Sequence, residues 1–207
     1  MKWQQDLTHD IRTFSSKDDI DDPVGYGVPY SNLLKIPEPY QEFTEINHVA
    51  LQHAIDACTT KPKYFLEIGV CRNLHKSSTY TIFENLPEDG IYLGVDLDDK
   101  SYLSKLRNGI HTIQESSSSY DIIINKLNSL NVHSLDFILI DGWHSINQLL
   151  LDWEYTKILS PEGVVGFHDV TAHPGPHAFI NALDKSKWTV QPNLCPNDYG
   201  FGYCKLK

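Results

Sequence analysis

The chain has 207 residues, 41% of them hydrophobic, which suits one domain with a real core plus a modest extension. Its net charge of −10 and pI near 5.3 argue against a surface that tracks nucleic-acid phosphates. No apolar run approaches the roughly 20 residues of a membrane span, and the start, residues 1–6, lacks a signal-peptide core, so a cytoplasmic protein with no membrane partner is expected.

In chain order, residues 1–43 combine an acidic run, 18–22, with the Gly-, Pro- and Tyr-rich stretch 25–30. Neither supports a regular element. An irregular arm is expected, packed on the domain or on a second copy of the chain; a cover over a substrate pocket is the functional alternative. From 44 to 207 the pattern is that of one α/β domain. Ile46, Val49, Ala50, His53, Ala54 and Ala57 recur at helical steps, with Thr44 as N-cap. Residues 64–70 read as a buried strand running into a glycine turn, and 77–86 as the next helix. Strand 91–96 follows, then a short helix over 100–108 stopped by Gly109, and strand 110–114. A helix over 120–130 carries Ile123, Ile124, Leu127 and Leu130 on one stripe. Residues 135–140 are an almost unbroken apolar run, long enough for a strand buried on both faces of a parallel sheet. The spacing predicts a helix over 146–159 and a turn at 160–163. A strand ending at Asp169, a loop over 173–177, a short helix over 178–183 and a closing strand pair, 188–191 and 199–206, complete the chain. Strands alternating with helices across short loops give a three-layer sheet. The scattered cysteines 58, 71, 195 and 204 read as reduced thiols.

Ligands of open α/β sheets gather at the C-terminal strand ends, which here carry the polar groups. Glu67-x-Gly69 closes the first strand, and Asp96 ends the second at a spacing suited to nucleoside binding. Gly69 would let the backbone approach a ligand, and Asp96 would accept from ribose hydroxyls. The sequence lacks G-x-G-x-x-G, so a pyrophosphate cradle is not supported. Asp141 and His144 end one strand and His168 and Asp169 another, so two carboxylates and two imidazoles converge. Structural alternatives stand beside these roles. Asp141 could cap the helix starting near Ser145, His144 could be an ordinary helix-start residue, and His168 a hydrogen-bonded structural imidazole. His173 and His177 read as exposed loop residues, with the substrate mouth as their alternative place; Trp143 reads as a wall, and Asp98 and Asp99 as solvated, with either able to replace Asp96 at the ribose.

The motifs L-E-I-G-V at 66–70, G-V-D at 94–96, F-I-L-I-D-G-W-H at 137–144 and L-S-P-E-G-V-V-G-F-H-D at 159–169 together resemble the class I S-adenosylmethionine-dependent methyltransferases. The similarity spans about residues 60–180 and is nearest to the branch of cephalosporin hydroxylase-like proteins and metal-dependent macrolide-sugar O-methyltransferases. The resemblance implies a Rossmann-like, three-layer α/β sheet, mostly parallel, of seven strands with a reversed last strand. It implies that Glu67, Gly69, Asn73, Asp96 and Asp141 serve S-adenosylmethionine, with Ser116 and Ser117 near the adenine. It also implies methyl transfer to a small-molecule hydroxyl, on a sugar or similar metabolite. Two positions depart from the family turn: Asn73 and His75 stand where a second Gly and a Ser are usual. Asn tolerates a left-handed backbone, so the turn is expected to survive. A non-catalytic relative that lost the cofactor turn is the alternative, as is a methyltransferase without a metal.

Chemistry gives each polar group a task. A hydroxyl acceptor must lose its proton, and a divalent ion lowers its pKa while an imidazole accepts the proton. Asp141 and Asp169 are hard oxygen ligands for Mg or Mn, and His144 is the base. His168, as a further ligand, would move the preference from Mg towards Mn, Fe or Zn.

Overall fold

The computed structural model describes residues 43–70, 74 and 77–207; the expected N-terminal arm, apart from Phe43, lies outside them. The elements are α1 (Glu45–Asp56), β1 (Tyr64–Ile68), α2 (Ser78–Asn85), β2 (Ile91–Asp96), β3 (Ile110–Gln114) and α3 (Tyr120–Ser129). They continue with β4 (Leu135–Ile140), α4 (Ile146–Asp152), β5 (Leu159–His168), α5 (Pro174–Ala182), β6 (Trp188–Gln191) and β7 (Phe201–Leu206). The strands form one sheet in the order β3-β2-β1-β4-β5-β7-β6. β1 to β5 pair in parallel and β7 runs antiparallel to both its neighbours, as the resemblance implies.

Side chains along β4 alternate between two cores, which is why its residues from Phe137 to Ile140 are all apolar. Ile138 and Ile140 face a cluster with Ile123 and Leu127 of α3, Leu149 of α4 and Phe179 of α5. Phe137 and Leu139 face the opposite cluster with Leu51 of α1 and Ile82 of α2. Covered on both sides, the sheet is the middle of three layers.

Several local readings are corrected. α1 buries Asn47, Ala50, Leu51, Ala54 and Ile55, while Ile46 and Val49 are 57% and 71% exposed. A polar clamp sets this rotation. Asn47 Nδ2 donates to Asp198 Oδ2 at 3.0 Å, Thr44 Oγ1 donates to the same oxygen, and Thr44 accepts from the Asn47 amide as the expected N-cap. With Asn47 turned inward, the side with Leu51 and Ile55 must follow. The helix expected over 100–108 is a 3₁₀ turn, Ser101–Lys105.

The helix expected over 146–159 is α-helical only through Asp152, and Trp153–Ile158 is 3₁₀. Residues two apart lie about 160° apart around an α-helix but about 120° apart around a 3₁₀ helix. The tighter winding lets both Trp153 and Tyr155 be fully buried; Trp153 packs on Phe179 and Trp188 with ring centroids 5.4 and 5.0 Å apart. Residues 160–163, expected as a turn, belong to β5, where the register slips between the pairs Leu135–Leu159 and Phe137–Val164. The loop expected over 173–177 is mostly the first turn of α5. Pro174 sits at its first position, where a missing N–H costs nothing. Among the described residues, Cys58, Cys195 and Cys204 are free thiols.

Candidate active site

β1 neighbours both β2 and β4, so the strand order reverses there and a crevice opens at the C-terminal edge. A cavity of about 700 Å³ occupies it. Of the expected site residues, Gly69, Asp96, Ser116, Ser117, Asp141, His144, His168 and Asp169 line it. Asn73 lies outside the described residues, as does His75.

Gly69 has φ +83°, and a Cβ there would lie 2.1 Å from the Asp141 carbonyl oxygen. The close approach that demands glycine is thus to the protein's own chain, where β1 and β4 end together. The Gly69 amide donates to Val95 O at 3.0 Å and the Asp141 amide to Ile68 O at 2.9 Å. Asp96 joins the two adjoining turns: Oδ2 accepts from the Val70 amide and Oδ1 from the Asp98 amide, both at 2.8 Å. Each oxygen keeps a further lone pair for a ligand.

Glu67 is corrected. Expected to face the cofactor, it is fully buried and does not line the cavity. Oε1 accepts from Ser78 Oγ at 2.5 Å, and Oε2 from Thr79 Oγ1 at 2.8 Å and from the Tyr92 hydroxyl. Burial pushes its carboxyl up to about 7 against the pull of these donors. Its position in β1 aims it at Ser78 and Thr79, so that it anchors the start of α2. Ser117 is held from below as well: its carbonyl accepts from Tyr155 OH at 2.6 Å and its Oγ from Gln148 Nε2 at 2.9 Å. Gln148 Nε2 also donates to Asp152 Oδ1 at 2.8 Å; burial raises the Asp152 carboxyl to about 7. Neither Gln148 nor Asp152 stands at a strand end, so nothing in the local pattern marks them.

Across the crevice the polar groups meet one another. His168 Nδ1 lies 2.9 Å from Asp141 Oδ1 and 3.4 Å from Asp169 Oδ2. Burial disfavours a charged His168, but the two carboxylates outweigh it and hold the imidazole well above its ordinary range. Asp169 is likewise buried, yet His168 and His144 keep its carboxyl well below the usual carboxylate range. His144 Nε2 lies 2.9 Å from Asp169 Oδ2. Asp141 is not a helix cap. Ser145 caps α4, accepting from the Gln148 amide at 3.2 Å, and His144 precedes the cap rather than standing within the first turn.

His173, read as an exposed loop residue with the substrate mouth as its alternative, lines the cavity. It is buried, not an exposed loop residue. Its ring stacks on His144 with centroids 4.1 Å apart and planes 8° apart, and its Nε2 lies 4.0 Å from Asp169 Oδ2. A Cβ on Gly175 would lie 1.8 Å from the His144 carbonyl oxygen. The Pro-Gly-Pro run after His173 therefore carried a signal: that glycine permits the contact. His177 is exposed as expected, and Trp143 forms part of the wall. Lys100, unremarked in the sequence, lines the cavity with its side chain 9% exposed.

The donor set fits a divalent cation. Asp141, His168 and Asp169 each offer one ligand atom within a cluster 4.8 Å across. Donors at about 2.0–2.2 Å from one ion stand roughly 2.9–3.5 Å apart for cis or tetrahedral neighbours, and the separations of 2.9 and 3.4 Å fall in that range.

No protein-family model matches the chain, and no curated protein does. Solved structures do match. CalS11, a TDP-rhamnose 3′-O-methyltransferase of calicheamicin biosynthesis, aligns with TM-score 0.57 at 11% identity over 99% of this chain and 91% of its own. The MycE methyltransferase of the mycinamycin pathway, in complex with Mg, SAH and mycinamycin VI, aligns with TM-score 0.54 at 15% identity over 81% of this chain. The alignment spans about half (50%) of the MycE chain. Fibrillarin of Methanococcus jannaschii, a pre-rRNA processing protein, gives TM-score 0.51 at 14% identity over 71% of this chain and 67% of its own. The fold is that of the class I S-adenosylmethionine-dependent methyltransferases. Among the described residues, no helix is long and apolar enough to cross a membrane.

Proposed function

We propose that the protein is an S-adenosylmethionine-dependent O-methyltransferase of a small hydroxylated metabolite or sugar, assisted by a divalent ion. The observation that carries this reading is that one cavity is lined both by Gly69, Asp96, Ser116 and Ser117 and by Asp141, His144, His168 and Asp169. A nucleoside-binding half and an acid–base half open into the same space. The Mg- and SAH-bound MycE and the sugar methyltransferase CalS11, alike in fold, support it.

In this reading Asp96 accepts from ribose hydroxyls, and Ser116 and Ser117 border the adenine. S-adenosylmethionine would supply a methyl group activated on its sulfonium sulfur, with adenosylhomocysteine as the leaving group. Asp141 and Asp169, with His168, would hold the ion, which would supply Lewis acidity to a neighbouring hydroxyl. The walls align the acceptor oxygen with the methyl carbon, and alignment alone accounts for much of such catalysis. His144 takes the hydroxyl proton on Nε2, which lies 2.9 Å from Asp169 Oδ2. His173 keeps the His144 ring in place by stacking.

Calorimetry with adenosylhomocysteine tests the first half. Binding is expected, and no heat at millimolar ligand with folded protein would leave a binding protein that kept the sheet alone. Chelation tests the second half: it should abolish methyl transfer, and full activity after exhaustive chelation would leave a metal-independent enzyme.

A further inference from the structure

The acid–base half is richer in imidazole than a site for a hard ion requires. Mg takes oxygen ligands almost exclusively and keeps much of its water. Here a nitrogen, His168 Nδ1, lies close to one oxygen of each carboxylate, at 2.9 and 3.4 Å. The ring cannot readily swing aside. Phe43 and Tyr199 pack on it with centroids 4.8 and 5.9 Å away, and it is 3% exposed. Its second nitrogen, Nε2, is buried without a hydrogen-bond partner among the described residues. An ion seated between Asp141 and Asp169 therefore displaces the Nδ1 proton and takes His168 as a ligand.

At most one of the other two imidazoles could join the ion, and His144, whose Nε2 lies 2.9 Å from Asp169 Oδ2, is the base in the reading above. His144 and His173 are stacked with planes 8° apart. A nitrogen lone pair lies in the plane of its ring, so two stacked rings direct theirs along parallel planes and not at one point. One nitrogen and two carboxylate oxygens remain, a mixed set that suits borderline first-row ions.

We infer that the cluster takes Fe(II), Co(II) or Zn(II) in preference to Mg(II), with His168 Nδ1 as its one nitrogen ligand. The inference rests on the reading of this cluster as a divalent site and specifies that site further. Oxygen sites also bind later first-row ions more tightly than Mg, so a simple difference in affinity does not decide the matter. The decisive quantities are the nitrogen ligation itself and the change in selectivity when His168 is replaced by a carboxylate.

The experiment uses the full chain, stripped of metal and kept folded as judged by circular dichroism. Mg(II) and Co(II) alone are titrated calorimetrically into the wild type and His168→Glu. The Co-over-Mg preference should fall roughly tenfold or more in the variant. In parallel, the wild-type protein with ¹⁵N-labelled histidine is loaded with Mn(II), a paramagnetic reporter, and its electron spin echo is examined for coupling to imidazole nitrogen. Coupling to one imidazole is expected, and this measurement stands even where the variant fails to fold. Ions that bind without nitrogen coupling, or with coupling that survives in folded His168→Glu, overturn the assignment while leaving a metal site in place. If neither Mg(II) nor Co(II) binds the folded wild type, the divalent reading itself fails, and the preference with it.

Discussion

The two halves of the crevice carry strand-end acids of opposite character. On the β1–β2 side, Glu67 and Asp96 are engaged by the protein's own donors: three hydroxyls surround Glu67 and two amides bind Asp96. On the β4–β5 side, Asp141 and Asp169 face imidazoles across 2.9 Å contacts. The first pair ties the end of one element to the start of the next, whereas the second brings proton acceptors and donors together. An acid at the end of a buried strand is therefore not one kind of signal. What decides its role is whether the neighbouring element presents donors from the scaffold or titratable groups.

The largest effect should come from the β4–β5 side. His144→Ala is expected to lower turnover by 10²- to 10⁴-fold, about 3 to 5 kcal/mol of barrier, while adenosylhomocysteine affinity stays near that of the wild type. Rate measurements with a methyl acceptor and calorimetry on the same preparation check this. Near-normal turnover would place the base elsewhere and remove the contrast between the halves.

Gly69→Ala strikes the seam between them. An alanine at φ +83° meets the Asp141 carbonyl oxygen at 2.1 Å. Backbone strain and overpacking together should cost about 2 to 5 kcal/mol of folding stability, read by urea denaturation. An unchanged midpoint would show that β1 and β4 separate easily here.

Glu67 gives the β1–β2 side a pH signature. Its carboxyl rises from an ordinary 4.5 to about 7 in the folded protein, so between those values the folded form holds a proton that the unfolded chain has released. Stability must therefore fall as pH rises through this window, by about 3 kcal/mol. Asp152, raised from 3.8 to about 7, adds a slope of the same sign. Glu67→Gln should remove its own share and leave that of Asp152; denaturation midpoints from pH 4 to 8 would reveal an unaltered slope if Glu67 were ionised throughout.

The smallest effect is expected at Asp96. Asp96→Ala should weaken adenosylhomocysteine binding by about 1.5 to 3 kcal/mol through loss of a charged hydrogen bond. Because Asp96 also binds Val70 and Asp98, a loss of folding stability greater than the loss of affinity would make it scaffold alone, like Glu67.

Much of this molecule was legible along the chain. β2 and β3 fall within their expected bounds, β4 ends before Asp141 and β5 before Asp169, and the reversed closing strand is where the resemblance placed it. Buried strands declare themselves because both faces must be apolar, and the strand ends follow from where that run stops. The rotation of α1 was not legible, since Ile46, Val49 and Ala50 make as regular a stripe as Ala50, Leu51, Ala54 and Ile55; Asp198, far along the chain, chooses between them. Neither was the 3₁₀ winding at Trp153, which depends on Phe179 and Trp188. The same holds in the site. That Asp141, His144, His168 and Asp169 gather at one edge follows from strand order and period. That Glu67 turns into the core, and that His173 stacks on His144, depends on contacts between elements remote in sequence. Periodicity records which face of an element is apolar; only packing determines what each polar group meets.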